Sequence, residues 1–86
     1  MYEVLFTNKA EKELGKLAQA DAKRLVEKLH KLTYPFPTNL DILKMEGYEG
    51  FYRLRVGQVR TLFEVDFSRK EIWIRKIKYR GSVYKL

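Results

Sequence analysis

Three arginines stand close together in the stretch FYRLRVGQVR, residues 51–60. A guanidinium group carries a rigid fork of N–H donors that matches the oxygens of a phosphate. Alternation along a strand sends Arg53 and Arg55 to one face, and a two-residue hairpin turn places Arg60 directly opposite Arg55. Because like charges opposite each other destabilise a sheet, the pattern indicates a site where a phosphate supplies the missing negative charge. A solvated polar face is the simpler alternative, although such faces usually mix both signs.

Basic side chains continue along the next predicted strand and past its end, in EIWIRKIKYR. They are Arg75, Lys76, Lys78 and Arg80. Two aromatic residues, Tyr79 and Tyr84, are interleaved with this charge, which suits stacking on unpaired bases better than contact with a duplex backbone. Packing of Tyr84 on the sheet is an equally good interpretation. The segment is therefore a candidate for binding unpaired bases, with the role of Tyr84 left open.

The net charge of +7 is confined to residues 52–86. Residues 1–51 carry eight basic and eight acidic side chains, whereas residues 52–86 carry ten basic and three acidic ones. A segregated excess of this kind indicates a surface that meets a polyanion.

Several classes of protein are excluded by composition. The chain has no cysteine, so disulfides and thiolate metal sites are absent, and no cofactor or metal is expected. No apolar run approaches the ~18 residues that a membrane span needs, and no signal-peptide pattern opens the chain. A single histidine, His30, lies in a predicted helix away from the basic strands, which excludes acid–base catalysis by a histidine pair. We expect one cytoplasmic domain over residues 1–86, with no membrane partner.

A strand and two helices are predicted in the first third of the chain. Residues 2–6, YEVLF, are rich in strand-forming side chains, and Thr7 or Asn8 can cap the helix that follows. Asp21 is the expected N-cap of the second helix, whose apolar stripe runs to about Leu32.

The rest of the chain is predicted to form a connector and three strands. Residues 33–41 contain both prolines and cannot continue a helix. Strands are expected over roughly 51–56, 59–66 and 71–78, with a shift in alternation near Ile77 that a bulge would explain. The order β-α-α-β-β-β predicts an α+β fold, with two antiparallel helices packed on one face of a mainly antiparallel sheet.

The ordered motifs KMEGYEGFYRLRVGQVRTLFEV and KYRGSVYKL resemble those of the RelE/ParE superfamily of toxins from toxin–antitoxin pairs. The resemblance rests on Lys44 with Gly47, on the run from Tyr52 to Gly57, on Arg60, and on Arg80 four residues before Tyr84. It covers nearly the whole chain, and the fold that it implies is the one predicted above.

The resemblance implies a ribosome-dependent messenger-RNA endonuclease that a cognate, RelB-like antitoxin neutralises. Cleavage in the family is metal-free: a ribose 2′-OH attacks the adjacent phosphate, and basic groups stabilise the transition state. The resemblance assigns phosphate binding to Arg53, Arg55 and Arg60, protonation of the leaving 5′ oxygen to Arg80, and substrate stacking to Tyr84. Lys44 and the basic residues of the last strand, with Tyr79, complete the expected RNA-binding set.

Two departures from the family leave the general base open. Arg53 and Arg55 stand where many members have lysines, and an arginine stays protonated, so it cannot serve as a base. Asp41 occupies the place, three residues before Lys44, where one branch of the family has a catalytic glutamate. Asp41, Lys44, Glu46 and Glu64 are the candidates, although a carboxylate here can also merely offset nearby arginines. Inhibition of DNA gyrase, as in the ParE branch, and RNA binding without catalysis remain the alternative functions.

Overall fold

A five-stranded sheet carries two helices on one face in a computed structural model, which describes residues 1–79. Along the chain the elements are β1 (Glu3–Phe6), α1 (Asn8–Gly15), α2 (Gln19–Leu29), β2 (Asp41–Lys44), β3 (Phe51–Val56), β4 (Val59–Asp66) and β5 (Glu71–Lys78). The predicted class, two helices on a mainly antiparallel sheet, is confirmed.

The strands lie side by side in the order β1-β5-β4-β3-β2. Within residues 1–79, only the β1–β5 pair is parallel, and it joins the first of these strands to the last. The β3–β4 hairpin has the predicted register, with Val56 opposite Val59 and Arg55 opposite Arg60. The alternation of β3 and β4 therefore separates an apolar face from a charged one, as expected.

The core lies between the helices and the apolar face of the sheet. Leu25 and Leu29 of α2 meet strand residues that are almost fully buried, among them Leu54, Phe63, Ile72 and Ile74. Phe36, from the connector after α2, packs edge-on against Tyr52 and Phe63 and closes one end of the core. Burial of these side chains fixes the register of each strand, because a slip of one residue would expose them.

The helix boundaries agree only in part with the sequence prediction. The Thr7 side chain accepts a hydrogen bond from the Ala10 N–H at 3.1 Å, so the predicted cap of α1 is confirmed. The prediction for α2 is wrong, since its N-cap is Ala18 and Asp21 lies in the first turn. An acidic side chain is also favourable in a first turn, where the helix dipole is positive, so cap and first-turn positions are easily confused.

β2 is a strand that the sequence prediction missed. It has four residues and pairs antiparallel with β3 as the edge of the sheet. The segment follows two prolines and has only one strongly buried neighbour, Leu40, so its apolar pattern is too short to identify. Its presence matters because it brings Asp41 opposite Arg55.

A bulge interrupts the pairing of β4 and β5. Leu62 faces Lys76 while its neighbour Phe63 faces Ile74, so Arg75 is the extra residue. The shift in alternation expected near Ile77 therefore occurs two residues earlier. Regular alternation would send Ile74 and Ile77, three residues apart, to opposite faces. Because of the bulge, both side chains reach the core.

The hairpin turn depends on Gly57, which has φ +59°. Positive φ at the first central residue alone is the pattern of a type II′ turn, which glycine adopts without steric cost. We expect Gly57→Ala to lower the free energy of unfolding by about 1 kcal/mol, measured by urea denaturation, because an added Cβ strains this conformation although it meets no neighbour.

Gly15→Ala is the matched control for that substitution. Gly15 ends α1, has ordinary φ, and has no atom within 4 Å of an added Cβ. We expect alanine there to raise the free energy of unfolding by about 0.5–1 kcal/mol. Equal effects at both glycines would contradict the assigned turn.

Candidate nucleic-acid interface

Four charged residues form a row across the sheet on the face opposite the helices. Asp41 of β2 lies opposite Arg55 of β3, Arg55 opposite Arg60 of β4, and Arg60 opposite Lys78 of β5. Cross-strand neighbours of this kind have Cβ atoms ~4.5–5.5 Å apart. We call this row, together with Arg53, the arginine row.

Asp41 offsets part of the charge in the arginine row. Its Oδ2 accepts a hydrogen bond from Arg55 Nε at 2.7 Å, and its Oδ1 lies 4.0 Å from Arg53 Nη2. The Arg53 side chain is mostly buried, at 11 % exposure, whereas those of Arg55 and Asp41 are about half exposed. One carboxylate therefore orients two guanidinium groups beside each other.

The positive charge of Arg60 is offset much less than the charges of Arg55 and Lys78, which have carboxylate partners. Its Nη1 lies 3.5 Å from the Gly57 carbonyl oxygen, at the limit of a hydrogen bond. Within residues 1–79, the structure gives Arg60 no carboxylate partner. Since Arg55 is directly opposite, Arg60 is the position where an added anion would relieve the most repulsion.

Lys78, at the other end of the row, is held by α1. Its Nζ lies 2.8 Å from Oε2 of Glu13, and Oε1 of Glu13 accepts a hydrogen bond from the Ile77 N–H at 2.8 Å. Glu13 is only 7 % exposed. Burial acts to raise the pKa of this carboxyl, but hydrogen bonds from Lys78 and Ile77, with the charges of Lys78 and Lys9, hold the pKa below its ordinary value of 4.5. Lys78 thus fastens β5 to α1 as well as contributing positive charge.

Tyr79 makes contacts with the start of α2. Its hydroxyl accepts a hydrogen bond from the Ala18 N–H at 2.8 Å and donates to the Asp21 carboxylate. Asp21 also pairs with Arg24 at 2.9 Å, and the hydrogen bonds from Arg24 and Tyr79 lower the pKa of Asp21. The Tyr79 hydroxyl therefore has a structural role, although the residue as a whole is 41 % exposed.

The remaining expected site residues lie in different places. Arg75 Nη1 lies 3.2 Å from Glu64 Oε1 on the charged face, and Lys76 lies opposite Leu62 in the neighbouring row. Lys44 is exposed but lies opposite Tyr52, a core-facing residue, so it leaves the sheet on the other face. Glu46 is exposed in the loop after β2. Two expected site residues, Arg80 and Tyr84, lie outside the described residues.

Comparison with known proteins identifies the family of this chain. A sequence model of the family described as "ParE toxin of type II toxin-antitoxin system, parDE" matches residues 4–84. The chain belongs to the RelE/ParE toxin superfamily. A Methanocaldococcus jannaschii protein designated a candidate toxin, RelE1, is 34 % identical over 76 residues, which are 86 % of this chain and 84 % of that protein.

Two solved RelE/ParE structures share the fold closely. The archaeal RelE–RelB complex from Pyrococcus horikoshii OT3 contains a chain with a TM-score of 0.79 and 33 % identity, covering 94 % of this chain and 97 % of that one. The RelB–RelE antitoxin–toxin complex from Methanococcus jannaschii gives a TM-score of 0.75 and 30 % identity, covering 93 % and 94 %.

Two features of this RelE/ParE chain were missed by sequence reasoning. One is Glu13, which the fold places beside β5, where its carboxylate accepts a hydrogen bond from the Ile77 N–H. The other is the pairing of Asp41 with Arg55, which depends on the unpredicted strand β2. Among residues 1–79, no cluster of three potential metal ligands is present, and no helix is long and apolar enough to cross a bilayer.

Proposed function

We propose that this protein is a toxin that cleaves messenger RNA on the ribosome, in the cytoplasm. The observation that carries the proposal is the arginine row, in which Arg53, Arg55 and Arg60 share one face and Arg60 has no carboxylate partner within residues 1–79. A phosphate placed between Arg55 and Arg60 would replace repulsion with two charge-assisted interactions. Membership of the RelE/ParE superfamily supports this assignment.

The proposed chemistry is attack of a ribose 2′-OH on the adjacent phosphate, with release of the 5′ oxygen. The attack places an additional negative charge on the phosphoryl oxygens, and donors already fixed around that position stabilise the charge without reorganising. Arg60 and Arg55 are the groups positioned for this role, and Asp41 holds Arg55 in place. Arg80 and Tyr84 keep the roles that the family resemblance assigns to them, leaving-group protonation and substrate stacking.

The Asp41→Asn variant distinguishes a counter-ion from a general base. We expect it to bind an RNA oligonucleotide more tightly and to keep cleavage at saturating RNA within about threefold, because Asp41 is engaged by two arginines. Loss of a general base would instead reduce cleavage by about 10²–10⁴-fold. Filter binding and single-turnover cleavage measure the two quantities separately.

The proposed partner is a RelB-like antitoxin, since the similar RelE chains from Pyrococcus horikoshii and Methanococcus jannaschii were solved with RelB. We propose that the antitoxin segment is acidic or amphipathic, and that it covers the arginine row or displaces the segment that carries Tyr84. A structure of the complex in which residues 53–60 and 75–84 remain fully exposed would contradict this proposal.

Cell-free translation tests the proposed activity directly. Added protein should reduce protein yield and generate new 5′ ends on ribosome-bound messages, and the same messages without ribosomes should stay intact. Intact messages with a normal protein yield would refute the endonuclease proposal.

Inhibition of DNA gyrase is a second candidate, favoured by the description of the matching family as ParE. A supercoiling assay with purified gyrase separates the two functions. Inhibition of supercoiling at protein concentrations that leave messages intact would support the ParE-like function instead.

A further inference from the structure

A basic cavity lies beside the arginine row on the charged side of the sheet. Its volume is about 350 Å³, and it is lined by Thr7, Lys9, Phe51, Leu62, Arg75 and Lys76. Three of these six residues are cationic and none is acidic. We call it the Lys9–Lys76 cavity.

The bulge in β5 explains why two neighbouring cations line the same cavity. In a regular strand Arg75 and Lys76 would point to opposite faces. Because Arg75 is the extra residue between the Leu62–Lys76 and Phe63–Ile74 pairs, both side chains reach this cavity. Bulges commonly redirect a side chain near a functional site. The Glu64 carboxylate, 3.2 Å from Arg75 Nη1, is not among the residues that line this cavity.

The cavity has an apolar floor beneath these cations. Leu62 belongs to the charged face by register, opposite Arg53 and Lys76, yet it is only 1 % exposed. Phe51 is half-buried and contributes an aromatic wall. A nucleotide unit combines the matching features, an anionic phosphate and a flat base.

The position of the cavity relates it to Arg60. Lys78 is the direct cross-strand neighbour of Arg60, so Lys76 is its diagonal neighbour, at a distance of ~7–8 Å. We propose that the Lys9–Lys76 cavity binds the nucleotide next to the one whose phosphate contacts Arg60, with Lys9, Arg75 and Lys76 holding its phosphate. This inference rests on the proposed function and adds a flanking RNA subsite to it.

Binding of uncleavable RNA tests the subsite. The probes are 2′-O-methyl dinucleotides, trinucleotides and tetranucleotides, whose blocked 2′ oxygens prevent the cleavage reaction. The wild-type protein should gain affinity when the probe becomes long enough to fill both sites. Lys9→Gln/Lys76→Gln should lose about tenfold in affinity for the longer probes, lose that length-dependent gain, and reduce the log–log salt slope by about 0.7, the value for one single-strand phosphate contact.

Lys23→Gln/Lys31→Gln is the matched control, because both lysines are exposed and the net charge changes equally. Equal length dependence in the two double variants, with thermal unfolding unchanged, would overturn the subsite. Equal losses for polyglutamate and for RNA, without length dependence, would also overturn it by showing unspecific anion binding. Absence of any RNA binding by the wild-type protein would overturn the subsite, whereas the proposed function is refuted separately, by intact messages in cell-free translation.

Discussion

Arg60→Ala is expected to reduce the rate of message cleavage by about 10²–10³-fold, the usual effect of removing one preorganised donor to a developing oxyanion. Arg60 is the member of the arginine row with the least compensation within residues 1–79, so it has the largest capacity to interact with a phosphate. The measurement is single-turnover cleavage of ribosome-bound message. Arg60→Lys should recover only part of the rate, because an ammonium group cannot offer two parallel donors.

Arg69→Ala is the matched control for Arg60→Ala. Its side chain is 76 % exposed in the β4–β5 turn and its carboxylate contact is 4.0 Å long, so cleavage should be unchanged. Equal cleavage rates for Arg60→Ala and the wild-type protein would remove the main support for the endonuclease.

Stability should respond to Arg60→Ala in the opposite direction from activity. The substitution removes repulsion from Arg55 across the hairpin and sacrifices only a 3.5 Å hydrogen bond. We therefore expect the free energy of unfolding to stay the same or to rise by a few tenths of a kcal/mol. An inactive variant that is at least as stable as the wild-type protein would show that Arg60 serves function and not stability.

Glu13→Ala is expected to lower the free energy of unfolding by about 2–3 kcal/mol, the largest effect on stability that we expect from a single polar residue. The substitution leaves the Ile77 N–H without its acceptor near the core, and it leaves Lys78 without its partner. Lys78 is 43 % exposed, so water compensates much of the loss of its ion pair. The orphaned Ile77 N–H therefore accounts for most of the expected decrease. Urea denaturation measures the change.

The pH dependence of Glu13 provides a separate check. Its pKa in the folded protein is below the ordinary 4.5, so its contribution to stability is complete above that value and disappears as the pH falls through the folded pKa. The stability difference between the wild-type protein and Glu13→Gln should therefore shrink on acidification below about pH 4. Glu11→Ala, on the exposed side of the same helix, should change stability by less than about 1 kcal/mol. Equal losses in Glu11→Ala and Glu13→Ala would contradict the assigned role.

Much of the fold could be predicted because local patterns determine it. The hairpin register followed from the Gly57-Gln58 turn and from alternation, and these place Arg55 opposite Arg60 without reference to any distant residue. The helices were recognised by their apolar spacing. The prediction that Asp21 caps α2 failed because the N-cap, Ala18, makes no side-chain cap hydrogen bond and so leaves no signal in the sequence, whereas Asp21 is favourable in the first turn.

The rest of the site required long-range pairing that a sequence pattern does not contain. Asp41 precedes Arg55 by fourteen residues. The two meet only because β2 pairs with β3 at the edge of the sheet. Glu13 reaches Ile77 because β1 pairs with β5 only as far as Ile74, so that no other described strand covers this side of β5 at Ile77. Both contacts join residues whose proximity depends on the completed sheet.

The parallel pairing of β1 with β5 also sets the order in which this protein can fold during its synthesis. Within the described residues β1 has β5 as its one partner strand, and Glu3 pairs with Glu71. The first strand therefore cannot pair until most of the chain has been synthesised. The β3–β4 hairpin is local and can form early, whereas β1 keeps its apolar side chains unsheltered until β5 leaves the exit tunnel. A nascent chain therefore has no complete sheet until residue 78 has emerged, and the arginine row gains its Lys78 end only at that moment.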